Sequence, residues 1–283
     1  MKFEKTSWRL VITTPAKGAW NMALDEAILE AAGRGDVPPT LRLYAWEPAC
    51  LSLGYAQPFT DVDLDSLQSN GWDLVRRPTG GRAILHVDEL TYSVSGPPSE
   101  ARLAGSVLES YRVISQALLQ ALHFLDIPAE AKEKPDSVPT SNQVKGGVPE
   151  FNPVCFEVPS NYEITVVGKK LIGSAQARRK EGVLQHGSLP LFGDLARVTQ
   201  ALVFENHIVR EKAKLRLYDR AATVEGVLGH APSWLDAAVA FIRAFENCLN
   251  LDLKPDEITR AELIRAEHLV KEKFDNHQWT QRV

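Results

Sequence analysis

Residues 162–191 read YEITVVGKKLIGSAQARRKEGVLQHGSLPL. Apolar and polar positions alternate from Tyr162 to Val167, from Lys170 to Arg178 and from Val183 to Leu191, and turn signals fall at Gly168-Lys169 and near Glu181-Gly182. A period of two between such turns predicts a three-stranded meander. Strict alternation puts Lys170, Ile172, Ser174 and Gln176 on one face and Lys169 on the other. An ammonium and a hydroxyl would then border one pocket, above a strand kept open by small residues.

Working outward, Leu41–Tyr44 and Cys50–Tyr55 alternate in the same way around Glu47-Pro48 and predict a hairpin. Helical spacing marks 20–32, where Leu24, Ala27, Ile28 and Ala31 form a stripe, and Val107 onward, where Tyr111, Ile114, Leu118, Ala121 and Leu125 predict an amphipathic helix across a sheet. Capping-box pairs Ser233/Asp236 and Thr259/Glu262 open two more helices. Strand and helix runs are segregated more than they alternate. This predicts an α+β fold with a mixed, largely antiparallel sheet flanked by helices, a catalytic domain over 1–230 and a helical segment over 231–283 packed on it. Residues 126–153, rich in Pro, Gly, Ser and charge, are expected to be a long loop that could act as a lid.

The 283 residues suffice for a substantial core. A net charge of −4 argues against a general affinity for nucleic acid. No apolar run is long enough to span a membrane, and the first residues lack a secretory h-region, so the cytoplasm is the expected location. The cysteines Cys50, Cys155 and Cys248 are odd in number and far apart, against both a disulfide framework and a zinc site. Cys50 belongs to a strand pattern and Cys248 follows Phe241 and Phe245 at helical spacing, so both read as core residues.

Three segments carry possible chemistry. Residues 76–94, RRPTGGRAILHVDELTYSV, combine arginines with Gly80-Gly81, whose backbone N–H groups can point at a carbonyl or phosphate oxygen; a tight turn with solvated arginines explains the same residues. Cys155 stands at the exit of the long loop in NPVCFEVPS and reads either as a buried structural thiol or as a nucleophile that needs a nearby cation or base. Lys170 and His186 read either as a solvated hairpin lysine and a hydrogen-bonded core histidine, or as partners in a site.

Taken together in order, RRPTGGRAILHVDELTYSV, the segment 152–163 and KLIGSAQARRKEGVLQHGSLPL resemble the lipoate-protein ligase and octanoyltransferase superfamily, whose fold is that of the biotin protein ligases. The similarity starts near Trp8 and Asn21-Met22-Ala23-Leu24-Asp25 and runs into the C-terminal helices. A cysteine just before the strand that leads to K-x-x-G-S-A resembles the LipM-type octanoyltransferases, and Arg82 stands where the ATP-dependent ligases generally have a third glycine. The resemblance implies that Cys155 carries the acyl group and that Lys170 lowers its pKa. It implies substrate contacts from Arg77, Thr79, Gly80, Gly81 and His86 in the first motif and from Gly173, Ser174, Ala175, His186 and Gly187 in the third.

The activity so implied moves octanoyl from octanoyl-acyl carrier protein through a Cys155 thioester to a lysine of a lipoyl domain, such as the glycine cleavage H protein, with no metal, nucleotide or other cofactor. Alternatives are an amidotransferase between lipoyl domains, an ATP-dependent lipoate ligase and an inactive carrier-binding module. The cluster Arg178, Arg179 and Lys180 is expected either to dock an acidic carrier or to be a solvated turn.

Overall fold

A computed structural model describes residues 3–133 and 162–283. Eight strands form the main sheet: β1 (Thr6–Ile12), β2 (Thr40–Tyr44), β6 (Glu89–Gly96), β7 (Glu130–Glu133), β8 (Tyr162–Val166), β9 (Lys169–Arg179), β10 (Gly182–Pro190) and β11 (Leu251–Pro255), in the order β11-β1-β2-β6-β10-β9-β8-β7. The β11-β1 and β1-β2 pairs are parallel and the others antiparallel. A second sheet of β3 (Cys50–Leu53), β4 (Asp73–Arg76) and β5 (Ile84–His86) has the order β4-β3-β5. The mixed, mainly antiparallel sheet expected from the sequence is thus present.

One face of the main sheet packs on α3 (Val107–Phe124) and α6 (Trp234–Leu249), with Leu43, Tyr92, Leu118, Phe241 and Phe245 in the shared core. Capping boxes at Ser106/Glu109 and Ser233/Asp236 start these helices. The other face carries α1 (Gly18–Arg34), against which α7 (Arg260–Leu269) lies. Because α1 sits between the main sheet, the small sheet and α7, it is buried nearly all round, and the single stripe seen in the sequence understates its burial.

Four local expectations are corrected. Residues 41–44 and 50–55 do not form a hairpin: β1 and β6 occupy both edges of β2, so the chain after Glu47-Pro48 leaves the main sheet and founds the second one. The predicted loop contains β7, whose sequence EAKE is the charged type that suits an edge strand. The C-terminal stretch is not wholly helical, since β11 extends the sheet beside β1. The β8-β9 turn falls at Val167-Gly168, both with positive φ, one residue earlier than expected. Residues 134–161, including Cys155 and most of the expected lid, lie outside the described residues.

Among the described residues no helix is long and apolar enough to cross a membrane, and no group of three His, Cys, Asp or Glu residues is placed to hold a metal ion. Cys50 is fully buried and its thiol is pushed well up by burial and by the carboxylates of Asp73 and Glu89, as befits a core residue. Cys248 is half-buried against the α3/α6 core, where burial raises its thiol too.

Candidate active site

The second sheet and the main sheet face each other across a narrow pocket of about 40 Å3. Met22, Tyr44, Trp46 and Ile84 give it apolar walls; Gly80, Gly81 and the run Gly173–Ala175 give it exposed backbone; His86 and His186 stand at its polar parts. The three separated stretches that the sequence singled out at 77–86, 173–175 and 186–187 therefore converge on one cavity. An apolar cleft with a few convergent polar groups is the usual form of a small-ligand site.

Sharp backbone approach builds its rim. Gly81 has φ of 95°, and its carbonyl oxygen would lie 1.9 Å from any Cβ at Gly54, so the chain leaving β3 and the glycine-rich loop can touch only because Gly54 has no side chain. Arg77 holds this turn from inside: its Nη1 donates to Ser52 O at 2.9 Å and Ser52 Oγ at 3.0 Å, and its Nη2 to Gly80 O at 2.9 Å and Arg82 O at 2.7 Å. The fully buried Arg76 donates to Gly54 O, Gln57 O and Thr280 O, tying the loop to the C-terminal turn. The arginine pair is thus neither solvated nor free for a ligand alone: in large part it is a scaffold that shapes Gly80-Gly81.

The two histidines share one wiring scheme. His186 Nδ1 lies 3.6 Å from Asp25 Oδ2, and its Nε2 lies 2.6 Å from Thr79 Oγ1. His86 Nδ1 lies 2.8 Å from Glu89 Oε1, and its Nε2 lies 2.7 Å from Ser52 Oγ. A carboxylate can only accept, so each ring presents an Nδ1 proton to its carboxylate, and in the neutral form its Nε2 accepts from the hydroxyl. Trp46 stacks on His86 at 4.0 Å between centroids, while its Nε1 donates to Thr91 Oγ1 at 2.7 Å; Thr91 and Ser188 hydroxyls in turn donate to Glu89.

Asp25 anchors the His186 side. Burial alone would raise its carboxyl, but the Arg42 guanidinium, 2.7 Å from Oδ1, and the His186 ring outweigh burial and hold it below the ordinary value. Ser93 Oγ and Tyr44 OH also donate to it, at 2.8 and 2.9 Å. Burial lowers the His186 pKa in spite of Asp25, with Arg77 and His86 adding to the effect, so the ring is neutral near pH 7. Sequence reading missed this support group: Asn21 and Asp25, four apart on a helix otherwise packed with Ala, Leu and Ile, together grip Arg42. A carboxylate inside a buried helical stripe was the available signal.

Ser174 and Gly187 face away from the histidines. They are paired across β9 and β10, Gly187 is also opposite Tyr92, and Ser174 Oγ lies 2.8 Å from Tyr92 OH on the α3/α6 side. Burial, against hydrogen bonds from Ser174 and Gln185, pushes the Tyr92 hydroxyl up to about 12. A Cβ on Gly187 would meet Ser174 Oγ at 2.5 Å, Gly173 O at 2.7 Å and Tyr92 Cε1 at 2.8 Å. Both residues thus reach the pocket by their backbones.

Lys170 is placed differently from the alternation rule. Ile164 pairs with Ile172 but Thr165 pairs with Lys170, so Leu171 is the extra residue of a β-bulge. Leu171 and Ile172 are both buried in the α3/α6 core, and Lys170 swings to the opposite face, where its Nζ lies 3.6 Å from Glu163 Oε1. The bulge puts Lys170 on the face of Gly173 and Ala175 instead of on that of Ser174. The expected shared face of Lys170 and Ser174 is therefore overturned.

Residues 17–246 match the family described as lipoyl protein ligase A/B catalytic domain. The chain belongs to this family. The octanoyltransferase LipM of Symbiobacterium thermophilum is 41% identical over 98% of this chain and 99% of its own length. That of Staphylococcus aureus is 36% identical, covering 96% and 98%. Among solved structures, a bipartite lipoate protein ligase from Thermoplasma acidophilum, described with its E2 lipoyl domain, superposes with a TM-score of 0.79 at 26% identity over 98% of this chain and 96% of that one. Lipoate-protein ligase A bound with ATP gives 0.77 at 26% identity over 97% and 98%. In this lipoyl ligase-family chain the first and third sequence motifs line one pocket, and the cysteine motif belongs to the segment outside the described residues.

Proposed function

We propose that the chain is an octanoyltransferase of lipoate biosynthesis that takes octanoyl from octanoyl-acyl carrier protein and delivers it to a lysine of a lipoyl domain, such as the glycine cleavage H protein, in the cytoplasm. The observation that carries this reading is near full-length identity of 36–41% to proteins named octanoyltransferase LipM, together with a pocket whose apolar walls suit a short acyl chain. In the first step the Cys155 thiolate attacks the donor thioester carbonyl and the carrier thiolate leaves. In the second, the acceptor lysine, as the free amine, attacks the new thioester; the amide forms, Cys155 thiolate departs and the amine loses a proton.

Lys170 favours the thiolate electrostatically. The bulge supports this role, because it turns the Lys170 ammonium to the face on which Gly173 and Ala175 border the pocket. Backbone N–H groups of the glycine-rich segments offer donors to the oxyanion of each tetrahedral intermediate, and Met22, Trp46 and Ile84 enclose the acyl tail. The test is transfer from octanoyl-acyl carrier protein to a lipoyl domain without nucleotide. The reading expects product from the parent and none from Cys155→Ala; strict dependence on ATP, or full activity in Cys155→Ala, overturns it.

A further inference from the structure

A second, more open depression adjoins the pocket. Gly80 and Gly81 line both, and β9 runs from one to the other: residues 173–175 border the pocket and residues 176–179 border the depression. Four cations, Arg82, Arg178, Arg179 and Lys273, line this groove, and no carboxylate does, in a chain of net charge −4. Arg178 turns inward to Leu103 O and Ser110 Oγ and serves to anchor the start of α3. The remaining three cations face the groove with two carboxylates behind them: Glu26, nearly buried, lies 2.6 Å from Lys273 and 3.5 Å from Arg179, and the buried Asp61 interacts with Arg82. Cations still outnumber carboxylates here, three to two, with the half-buried indole of Trp279 beside them.

The dimensions suit one kind of ligand. At about 3.3 Å per residue along a strand, Arg179 lies roughly 16 Å from Ser174. A thioester at the pocket mouth therefore puts a group one pantetheine length away beside Arg82, Arg179 and Lys273. We propose that this groove binds the phosphate of a phosphopantetheine arm, with Arg82 and Arg179 holding its oxygens and Gly80-Gly81 passing the arm's thioester into the pocket. The assignment rests on the octanoyl-transfer reading and adds to it the part of the donor that the protein recognises. It replaces the expected docking cluster Arg178-Arg179-Lys180 with a set in which Arg178 is structural.

The experiment compares octanoyl-phosphopantetheine with octanoyl-pantetheine, which carries the same thioester without the phosphate, in the parent and in Arg82→Ser/Arg179→Ser, with thermal unfolding to confirm that the variant folds. The quantity read is the ratio of kcat/KM for the two arms, which is insensitive to a general loss of activity. The parent should favour the phosphorylated arm by about tenfold at low salt, the size expected of charge-assisted hydrogen bonds, and the preference should shrink as salt rises. The variant should bring the ratio close to one and lower kcat/KM for octanoyl-acyl carrier protein by a similar factor. Equal use of both arms by the parent, or an unchanged ratio in the variant, overturns the phosphate site while leaving octanoyl transfer intact. A loss with the free arm but none with the carrier protein overturns its assignment to a carrier-borne donor. Failure of every octanoyl donor in the parent overturns the transfer reading itself, and the site with it.

Discussion

Thr79 Oγ1 and His186 Nε2, 2.6 Å apart, join the glycine-rich loop of the small sheet to β10 of the main sheet across the pocket. The other nitrogen of His186 faces Asp25, so the ring is held between the loop of Thr79, 107 residues away along the chain, on one side and α1 on the other. Replacing Thr79 by Val keeps the shape and removes the donor, leaving a buried ring nitrogen unpaired. The expected cost is about 1–3 kcal/mol in denaturant unfolding. Thr79→Ser should recover most of it; equal loss in both variants would show that the hydroxyl does not support the ring.

The pH dependence of stability should carry a His186 signature. Burial lowers its folded-state pKa below the ordinary 6.5. Between the two values the unfolded chain binds the proton and the folded chain does not, so stability should fall as pH is lowered from about 6.5 toward the folded-state value. Above 6.5 both states are neutral at this ring and the contribution is flat. His186→Gln should show a shallower decline across that window in urea unfolding at a series of pH values. Superimposable slopes for parent and variant would contradict the assignment.

Gly187→Ala tests how tightly the strands around the site are packed. The added methyl meets a hydroxyl, a carbonyl and an aromatic edge at once. A loss of about 1–3 kcal/mol is expected, the usual range for overpacking. Ser174→Gly in the same chain should restore only part of it, because the Gly173 carbonyl and the Tyr92 ring remain in the way. A neutral Gly187→Ala would mean that β9 and β10 separate more easily than their register implies.

Much of this arrangement is legible in the sequence because its signals are local. The meander at 162–191 shows as period-two alternation between turns, α3 and α6 show as apolar stripes, and the glycine pair at 80–81 marks a close backbone approach. What the sequence hides depends on neighbours. β3 follows β2 with a hairpin-like pattern, yet its partners are β4 and β5, because nothing in residues 40–55 reveals that both edges of β2 are already taken. The face of Lys170 is misread because a one-residue bulge at Leu171 leaves no mark in an alternation of apolar residues. Arg76 and Arg77 look like ligand-binding charges until their carbonyl partners, brought in from 52–57, 80–82 and 280, are seen.

The covalent route through Cys155 is the centre of the functional account, and intact-mass measurement of the protein mixed with octanoyl-acyl carrier protein alone, with no acceptor and no nucleotide, tests it most directly. The account predicts that one octanoyl group is added, that peptide mapping places it on Cys155, and that a lipoyl domain then removes it with formation of octanoylated acceptor. Absence of any adduct under conditions that support turnover, or an adduct on Cys50 or Cys248 that persists when the lipoyl domain is added, would contradict it.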